Sequence, residues 1–319
     1  MRLLVTGGAG FIGSNFVKLL EKSHSNYQSV TVLDNLTYAG HTANIQKISK
    51  FKNFAFVKGD ILDKSLVNDL VSKCNAIVNF AAESHVDKSI DFPTSFVNTN
   101  IKGVQILLDA AVSHGVQVFL QVSTDEVYGS ITSGSWDESA PLRPNSPYSA
   151  SKASADLLAL AYHRTYGLDV RITRSSNNFG PHQFPEKIIP LFITNALSNK
   201  NLPLYGTGEN IRDWIYVEDN CAGIELVLLN GKAGEVYNIG GDNELTNLDL
   251  TKQILMKVKT LSEIVYVDDR KGHDYRYSVD STKIKSKLGF ELKSNFDQAL
   301  SETIEWYQTN QNWWNNLSN

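Results

Sequence analysis

Apolar and polar positions alternate in blocks along the first half of the chain. Short apolar runs, RLLVT (2–6), SVTVLD (29–34), FAFVKGD (54–60), AIVNFAA (76–82) and VFLQVST (118–124), are separated by stretches of helical periodicity such as FIGSNFVKLLEK (11–22) and GVQILLDAAVSHG (103–115). The runs are almost continuously apolar, as strands buried on both faces are. Strand and helix in alternation predict a parallel sheet covered by helices on both sides and joined by right-handed crossovers. DVRITR (169–174) predicts a sixth strand. After about residue 176 the rhythm breaks. NNFGPHQFPEKIIP (177–190) reads as loop, VYNIGG (236–241) as another short strand, and the rest mixes helix with loop around Trp306, Trp313 and Trp314.

The turn after the first run carries chemistry. VTGGAGFIGSN contains Gly8-x-Gly10-x-x-Gly13, with Gly7 three residues before Gly10. Glycines between a strand and a helix let the backbone approach a pyrophosphate, and the helix N-terminus offers it N–H groups and a positive dipole end. Asp34 ends the second run some 20 residues after Gly13, where an acid accepts hydrogen bonds from an adenosine ribose and repels a 2′-phosphate. The expectation is therefore NAD rather than NADP, on an α/β, Rossmann-type doubly wound parallel sheet with a smaller mixed α/β lobe. The NAD-binding domain is expected over 1–176, with 211–241 returning to it. Segments 177–210 and 242–319 would form the lobe. Asp60, in GDI (59–61), is compatible with the adenine pocket or with a solvated loop.

Composition adds limits. The 319 residues are 42% hydrophobic and 20% charged, with a net charge of −4, so nothing favours nucleic acid. No apolar run is long enough to cross a bilayer, and MRLLVTGGAG begins a strand rather than a signal peptide. Cys74 and Cys221 have no motif spacing and the histidines no ligand spacing, so no metal is expected. The expected compartment is the cytoplasm.

Two further clusters point to catalysis. In SPYSASKASADLLALAY, Tyr148 and Lys152 are four apart on a predicted helix and share a face. A nearby ammonium and a nicotinamide cation would favour phenolate, making Tyr148 a base, with Thr124 on the same substrate oxygen. Asp125 and Glu126 follow Thr124 directly. Repulsion and partial burial would separate their pKa values, leaving one acid neutral to donate a proton and the other ionised to accept one. Such a pair suits elimination of water.

The glycine turn, Thr124 and Tyr148-x-x-x-Lys152 resemble the extended short-chain dehydrogenase/reductase superfamily. NFAAESHVDKSI (79–90), VSTDEVYG (122–129), NSPYSASKASAD (145–156), SSNNFGPHQFPEKIIPL (175–191), LPLYGTGENIRDWIYVEDN (202–220) and DRKGHDYRYSVD (269–280) narrow this to the nucleotide-sugar 4,6-dehydratases that act on dTDP-glucose. The resemblance implies oxidation at sugar C4, loss of water across C5 and C6, and hydride return to C6. Asp125 would be the acid, Glu126 the base at C5, and Tyr148 the base at the C4 hydroxyl.

By the same resemblance the cofactor contacts are Gly7, Gly10, Phe11, Ile12 and Gly13; Asp34, Asn35, Leu36 and Thr37; Asp60 and Ile61; Phe80, Ala81, Ala82 and Ser84; and Thr99, Tyr148, Lys152 and Asn178. The substrate contacts are Ser84, Thr124 and Asn177; Lys187 and Ile188; Pro203, Leu204 and Tyr205; and Arg212, Asn247, Arg270 and His273, with cations for the diphosphate. It also implies tightly held NAD and a homodimer formed through helices of the large domain. His85 is expected to be structural. The chain departs from the family pattern at Ser175, Phe179–Gly180, Lys271 and Tyr275, the last two near the nucleotide. A UDP-sugar 4-epimerase or decarboxylase on this fold would need little from Asp125 and Glu126. A non-catalytic dinucleotide-binding protein would need neither Tyr148 nor Lys152.

Overall fold

The computed structural model describes residues 1–45 and 53–315. In chain order its elements are β1 (Arg2–Thr6), α1 (Phe11–Leu20), β2 (Ser29–Asp34), β3 (Phe54–Lys58), α2 (Lys64–Val71), β4 (Ala76–Asn79), α3 (Val86–Asp91), α4 (Pro93–Phe96), α5 (Val104–Ser113), β5 (Val118–Thr124), α6 (Pro147–Tyr166), β6 (Val170–Ser175), β7 (Asn177–Phe179), α7 (Ile188–Leu197), β8 (Leu202–Tyr205), β9 (Ile211–Tyr216), α8 (Val217–Asn230), β10 (Val236–Ile239), β11 (Glu244–Thr246), α9 (Asn247–Val258), β12 (Ile264–Val267), α10 (Thr282–Leu288), α11 (Phe296–Thr309) and α12 (Gln311–Asn315). A π-helical segment, Val97–Gly103, leads into α5.

Seven parallel strands form the main sheet in the order β10-β6-β5-β4-β1-β2-β3. Alternate residues of each strand feed opposite layers, as the strand period of two requires. Leu3, Val5, Val30 and Val32 pack with Phe16 of α1, Ile224 of α8 and Ile284 of α10. Leu4 and Leu33 pack on the other side with Val67 of α2, Leu107 of α5 and Ala155 of α6. Three polar side chains interrupt the apolar runs and bond to one another across the sheet. Thr6 Oγ1 donates to Asn79 Oδ1 at 2.5 Å, and Asn79 Nδ2 donates to Gln121 Oε1 at 2.8 Å. The chain runs outward from β1 to β3, then crosses to β4, so a crevice opens beyond the C-terminal ends of β1 and β4.

The second lobe is built around Phe179, Phe192, Trp214, Leu250 and Leu300. Its partition differs from the expected one in two places. β9 pairs with β7 and β11 in a separate three-stranded sheet, so the return to the main sheet begins at Val217, with α8 and β10. α10 packs on α8 and β10 and belongs to the large layer, because Ile284 and Phe290 complete its core. The segment 177–190, read as loop, contains β7 and the first turn of α7. Residues 316–319 of the expected lobe lie outside the described residues.

A buried polar network ties the sheet to the turn after β5. Arg174 of β6 donates from Nε to Asp156 Oδ2 of α6 at 2.9 Å and from a terminal nitrogen to the Tyr128 hydroxyl at 2.8 Å. That hydroxyl donates to Asn238 Oδ1 of β10 at 2.8 Å. Arg174 and Asp156 are 3% and 0% exposed, so losing one partner strands a charge away from water. Arg174→Leu is expected to cost about 3–5 kcal/mol in urea unfolding. Tyr128→Phe, which removes only the shared hydroxyl, should cost about 1–3 kcal/mol. Equal stability of both variants and the wild type would contradict this role.

Candidate active site

The glycine turn follows β1 as expected. Gly7, at φ +67°, is the residue the turn requires: a Cβ there would lie 2.6 Å from the Ala81 nitrogen. A Cβ at Gly13 would lie 2.3 Å from the Gly7 oxygen, so Gly7-x-x-Gly10-x-x-Gly13 is the working pattern. Gly8 instead packs on Val32 in the core. Gly10 begins α1 without a side-chain cap, leaving first-turn N–H groups for a ligand.

A cavity of about 400 Å³ runs from this turn along the strand ends. Gly7, Gly10, Phe11, Ile12 and Gly13 line it, with Asp34, Asn35, Thr37, Asp60 and Ile61. Phe80, Ala81, Ala82, Ser84, Thr99 and Asn178 extend it towards Thr124, Tyr148 and Lys152. Leu36 is the exception: it packs against the core beneath β2, and its N–H donates to Asp34 Oδ1 at 2.8 Å. The other Asp34 oxygen accepts from Ala9 N at 2.9 Å, so the acid is fixed to the turn. Asp60 is bound to Asn35 Nδ2 at 2.8 Å rather than loose in solvent. The bare glycine cradle, the uncapped helix start and the acid at the end of β2 fit a dinucleotide. The buried oxygens Ser123 Oγ, Asn177 Oδ1 and Asn178 Oδ1 on the same wall have no hydrogen-bond partner among the described residues.

A second cavity of about 180 Å³ lies between the small lobe and His85, Val86, Asp87, Glu126 and Ser146 of the first half of the chain. Ile188, Pro203, Leu204, Tyr205, Arg212, Asn247, Arg270 and His273 line it. Glu126, Asn177, Asn178, Gln183, Glu186 and Lys187 border both cavities, which therefore meet at Glu126. The cations are already engaged. Arg270 grips Asp87 with two bonds of 2.6 and 2.9 Å, Lys187 Nζ donates to Ser84 O at 2.7 Å, and Arg212 donates to three backbone carbonyls while lying over the Tyr277 ring. His273 is bonded to Asp269 at 2.7 Å. Lys271 and Tyr275 line neither cavity, although Gly272 and Asp274 beside them line the second; Tyr275 uses its backbone carbonyl for Arg212 and leaves its ring exposed. Gln183, Glu186, Asp274 and Tyr277 were not anticipated. Glu186 adjoins Lys187 and Tyr277 lies in DYRY, so both sat within stretches already singled out by sequence.

Thr124 ends β5 and caps a single 3₁₀ turn, Asp125–Tyr128. It accepts from Glu126 N at 3.3 Å and donates to Asp125 Oδ1 at 3.1 Å. The turn, rather than the strand, lets two successive acids reach the cleft. Asp125 is 3% exposed and its Oδ2 has no partner among the described residues. Burial, then the Glu126 carboxyl, push Asp125 well above the usual carboxylate range. Burial raises Glu126 too, but Lys187, Arg212 and Arg270 oppose the rise. The two acids are thus set apart in the direction an acid–base pair needs.

α6 starts sharply because Ser146 and Ser149 form a reciprocal capping box and Pro147 occupies the first turn. That fixes Tyr148 and Lys152 under the end of β5. Their electrostatics differ from the expected phenolate pair. Burial, then Glu126 and Asp125, push the Tyr148 phenol well above its usual range, with the Thr124 hydroxyl opposing. Lys152 donates to Val122 O at 2.7 Å, and burial lowers it to about 8. Burial above all, with the neighbouring acids adding to it, therefore keeps Tyr148 neutral when protein groups act alone. His85 caps α3 and lies 3.5 Å from Glu186; burial lowers it to about 4, so it stays neutral.

Fold and site together define a dinucleotide-binding dehydrogenase/reductase whose cleft carries an extra acid pair. Residues 4–303 match the family described as GDP-mannose 4,6 dehydratase. The chain is 54% identical to dTDP-glucose 4,6-dehydratase of Streptomyces niveus, covering 99% of this chain and 96% of the relative. The crystal structure of DesIV, a dTDP-glucose 4,6-dehydratase from Streptomyces venezuelae with NAD bound, superposes with a TM-score of 0.96 at 54% identity, covering 99% and 100% of the two chains. A UDP-glucose 4-epimerase from Thermotoga maritima also superposes, with a TM-score of 0.90 at 31% identity over 98% and 100%. The chain belongs to the nucleotide-sugar 4,6-dehydratase family of the extended short-chain dehydrogenase/reductase superfamily.

The acid pair has a consequence for stability. Burial holds the folded Asp125 well above its unfolded range, so between the two values the folded site keeps a proton that the unfolded chain has lost. The native state then binds more protons, so this group's contribution falls as pH rises from the usual carboxylate range towards the raised native value. Asp125→Asn removes that penalty. Its Tm should match the wild type near about pH 4 and gain on it as pH rises from there. A difference independent of pH would contradict the assignment.

Proposed function

We propose that this protein is an NAD-dependent nucleotide-sugar 4,6-dehydratase that converts dTDP-glucose into dTDP-4-keto-6-deoxy-glucose. One observation carries the reading: a buried acid and a cation-flanked acid occupy one turn where the two cavities meet. Superposition with an epimerase leaves the reaction open, since the fold supports several chemistries. An acid pair of unlike protonation is what elimination of water needs.

Gly7, Gly10, Gly13 and Asp34 would hold NAD, which supplies a hydride acceptor for C4 and returns the hydride to C6. Tyr148, with Thr124, receives the C4 hydroxyl proton. Its high native pKa makes that transfer depend on positive charge arriving with the cofactor. Glu126 removes the C5 proton, acidified by the C4 ketone. Asp125 gives its proton to the departing C6 hydroxyl, releasing one water, and Glu126 returns a proton to C5. Arg212, Arg270 and Lys187 would hold the diphosphate, exchanging or sharing their present bonds.

Incubation with dTDP-glucose and no added cofactor should give a product with a near-ultraviolet chromophore in alkali. In deuterated water the wild type should place deuterium at C5. Glu126→Gln should lose that label and slow turnover by roughly 10²–10⁴. Wild-type turnover in Glu126→Gln would favour epimerase or decarboxylase chemistry.

We infer a homodimer through the large domain. α6 packs on α3, α4 and the π segment, and this side exposes Phe92 at 69%, Val97 at 50%, Leu157 at 58% and Tyr166 at 59%. Sedimentation velocity should give a dimer, and Leu157→Lys with Val97→Lys should shift it to monomer. Among the described residues no helix is long and apolar enough to cross a membrane. Two buried, unpaired cysteines suit the reducing cytoplasm.

A further inference from the structure

The cleft assigned to NAD is roofed. Two loops meet over it, residues 35–45 after β2 and 181–187 after β7. Thr37, Ala39 and Gly40 line the cavity from one, and Gln183, Phe184 and Glu186 from the other. The loops touch through side chains. Tyr38 hydroxyl donates to Glu186 Oε1 at 3.1 Å and its ring meets Phe184 edge-on at 5.5 Å. His41 stacks on Phe184 at 6.1 Å with the rings 12° apart.

The C-terminal helix sits at this junction. Trp313 of α12 donates from Nε1 to Asn44 Oδ1 at 2.9 Å. Its ring meets His41 of one loop at 6.3 Å and His182 of the other at 5.7 Å, both edge-on. Asn44 is buried, and its Nδ2 donates to Ala9 O at 2.9 Å, inside the glycine turn. The same carbonyl accepts from His41 N at 3.1 Å. One indole is therefore bonded to the loop that closes on the glycine turn, and it touches the opposite loop as well. Trp313 itself lines neither cavity. A second tie comes from the preceding helix, where Tyr307 hydroxyl donates to the Gln183 carbonyl.

We propose that Trp313 is a positioning residue that holds the two loops closed over the cofactor and so makes bound NAD slow to exchange. The inference rests on the NAD-binding reading and assigns cofactor retention to residues far from the chemistry. Lids of this kind act on release rather than on the reacting atoms. A purely structural tryptophan would change the melting temperature without a selective effect on exchange.

The test uses the full chain, purified without added cofactor, as wild type, Trp313→Ala and Trp313→Phe. Bound NAD is measured after acid release, and exchange is read as loss of radiolabelled NAD into excess unlabelled NAD. Wild type that neither retains nor binds NAD would overturn the NAD-binding reading, and this proposal with it. With NAD bound in the wild type, Trp313→Ala should exchange roughly tenfold faster, having lost the hydrogen bond to Asn44 and the ring contacts to His41 and His182, besides those to Trp306 and Tyr307. Trp313→Phe, which loses only the donor, should show a smaller acceleration. Trp313→Phe should keep a near-wild-type melting temperature. Exchange at the wild-type rate in both variants would overturn the proposal. If Trp313→Ala does not fold, Trp313→Phe alone decides: faster exchange supports the assignment and an unchanged rate overturns it.

Discussion

Two carboxyl groups on successive residues are withdrawn from water within one turn, and the site is arranged around that cost. Neither burial nor mutual repulsion favours two charges there. The fold accommodates them by burying Asp125 so that it is held well above the usual carboxylate range and by surrounding Glu126 with cations from the second lobe. The turn cannot relax outward, because Tyr128 at its end is bonded to Arg174 and Asn238 from two strands of the main sheet. Stability is given up locally so that a proton donor and a proton acceptor share one substrate position.

The parallel sheet makes this possible at a distance. Every strand end of the main sheet points to the same edge, so residues after β1, β2, β4, β5 and β6 converge although they are spread over the first half of the chain. The second lobe contributes what the sheet lacks, a wall of guanidinium and ammonium groups held by Asp87, Ser84 and backbone carbonyls. Those partners keep the cations compact and oriented, and they also set the competition a diphosphate must win.

Much of this was legible in sequence where local spacing carries the chemistry. Alternating runs placed the five leading strands, since burial on both faces leaves a plain apolar pattern. Gly10, Gly13, Asp34, Tyr148 and Lys152 were readable because each depends on a fixed offset from a strand or a helix. What failed was non-local. That Gly8 packs in the core shows only once Val32 is seen beside it. β9 leaves the main sheet because its partners, β7 and β11, lie far from it in sequence. Leu36 turned to the core through backbone geometry that composition does not encode. Tyr148 was expected as a phenolate beside Lys152, whereas its burial, with the carboxyl groups of the preceding turn adding to it, favours the phenol.

The central claim concerns where one proton resides. Infrared spectroscopy at neutral pH reports it directly, through the carbonyl stretch of a protonated carboxyl group. The wild type should show one such band that shifts on exchange into deuterated water, disappears in Asp125→Asn and persists in Glu126→Gln. A wild-type spectrum with ionised carboxylates only, or a band that survives Asp125→Asn and vanishes in Glu126→Gln, would contradict the account.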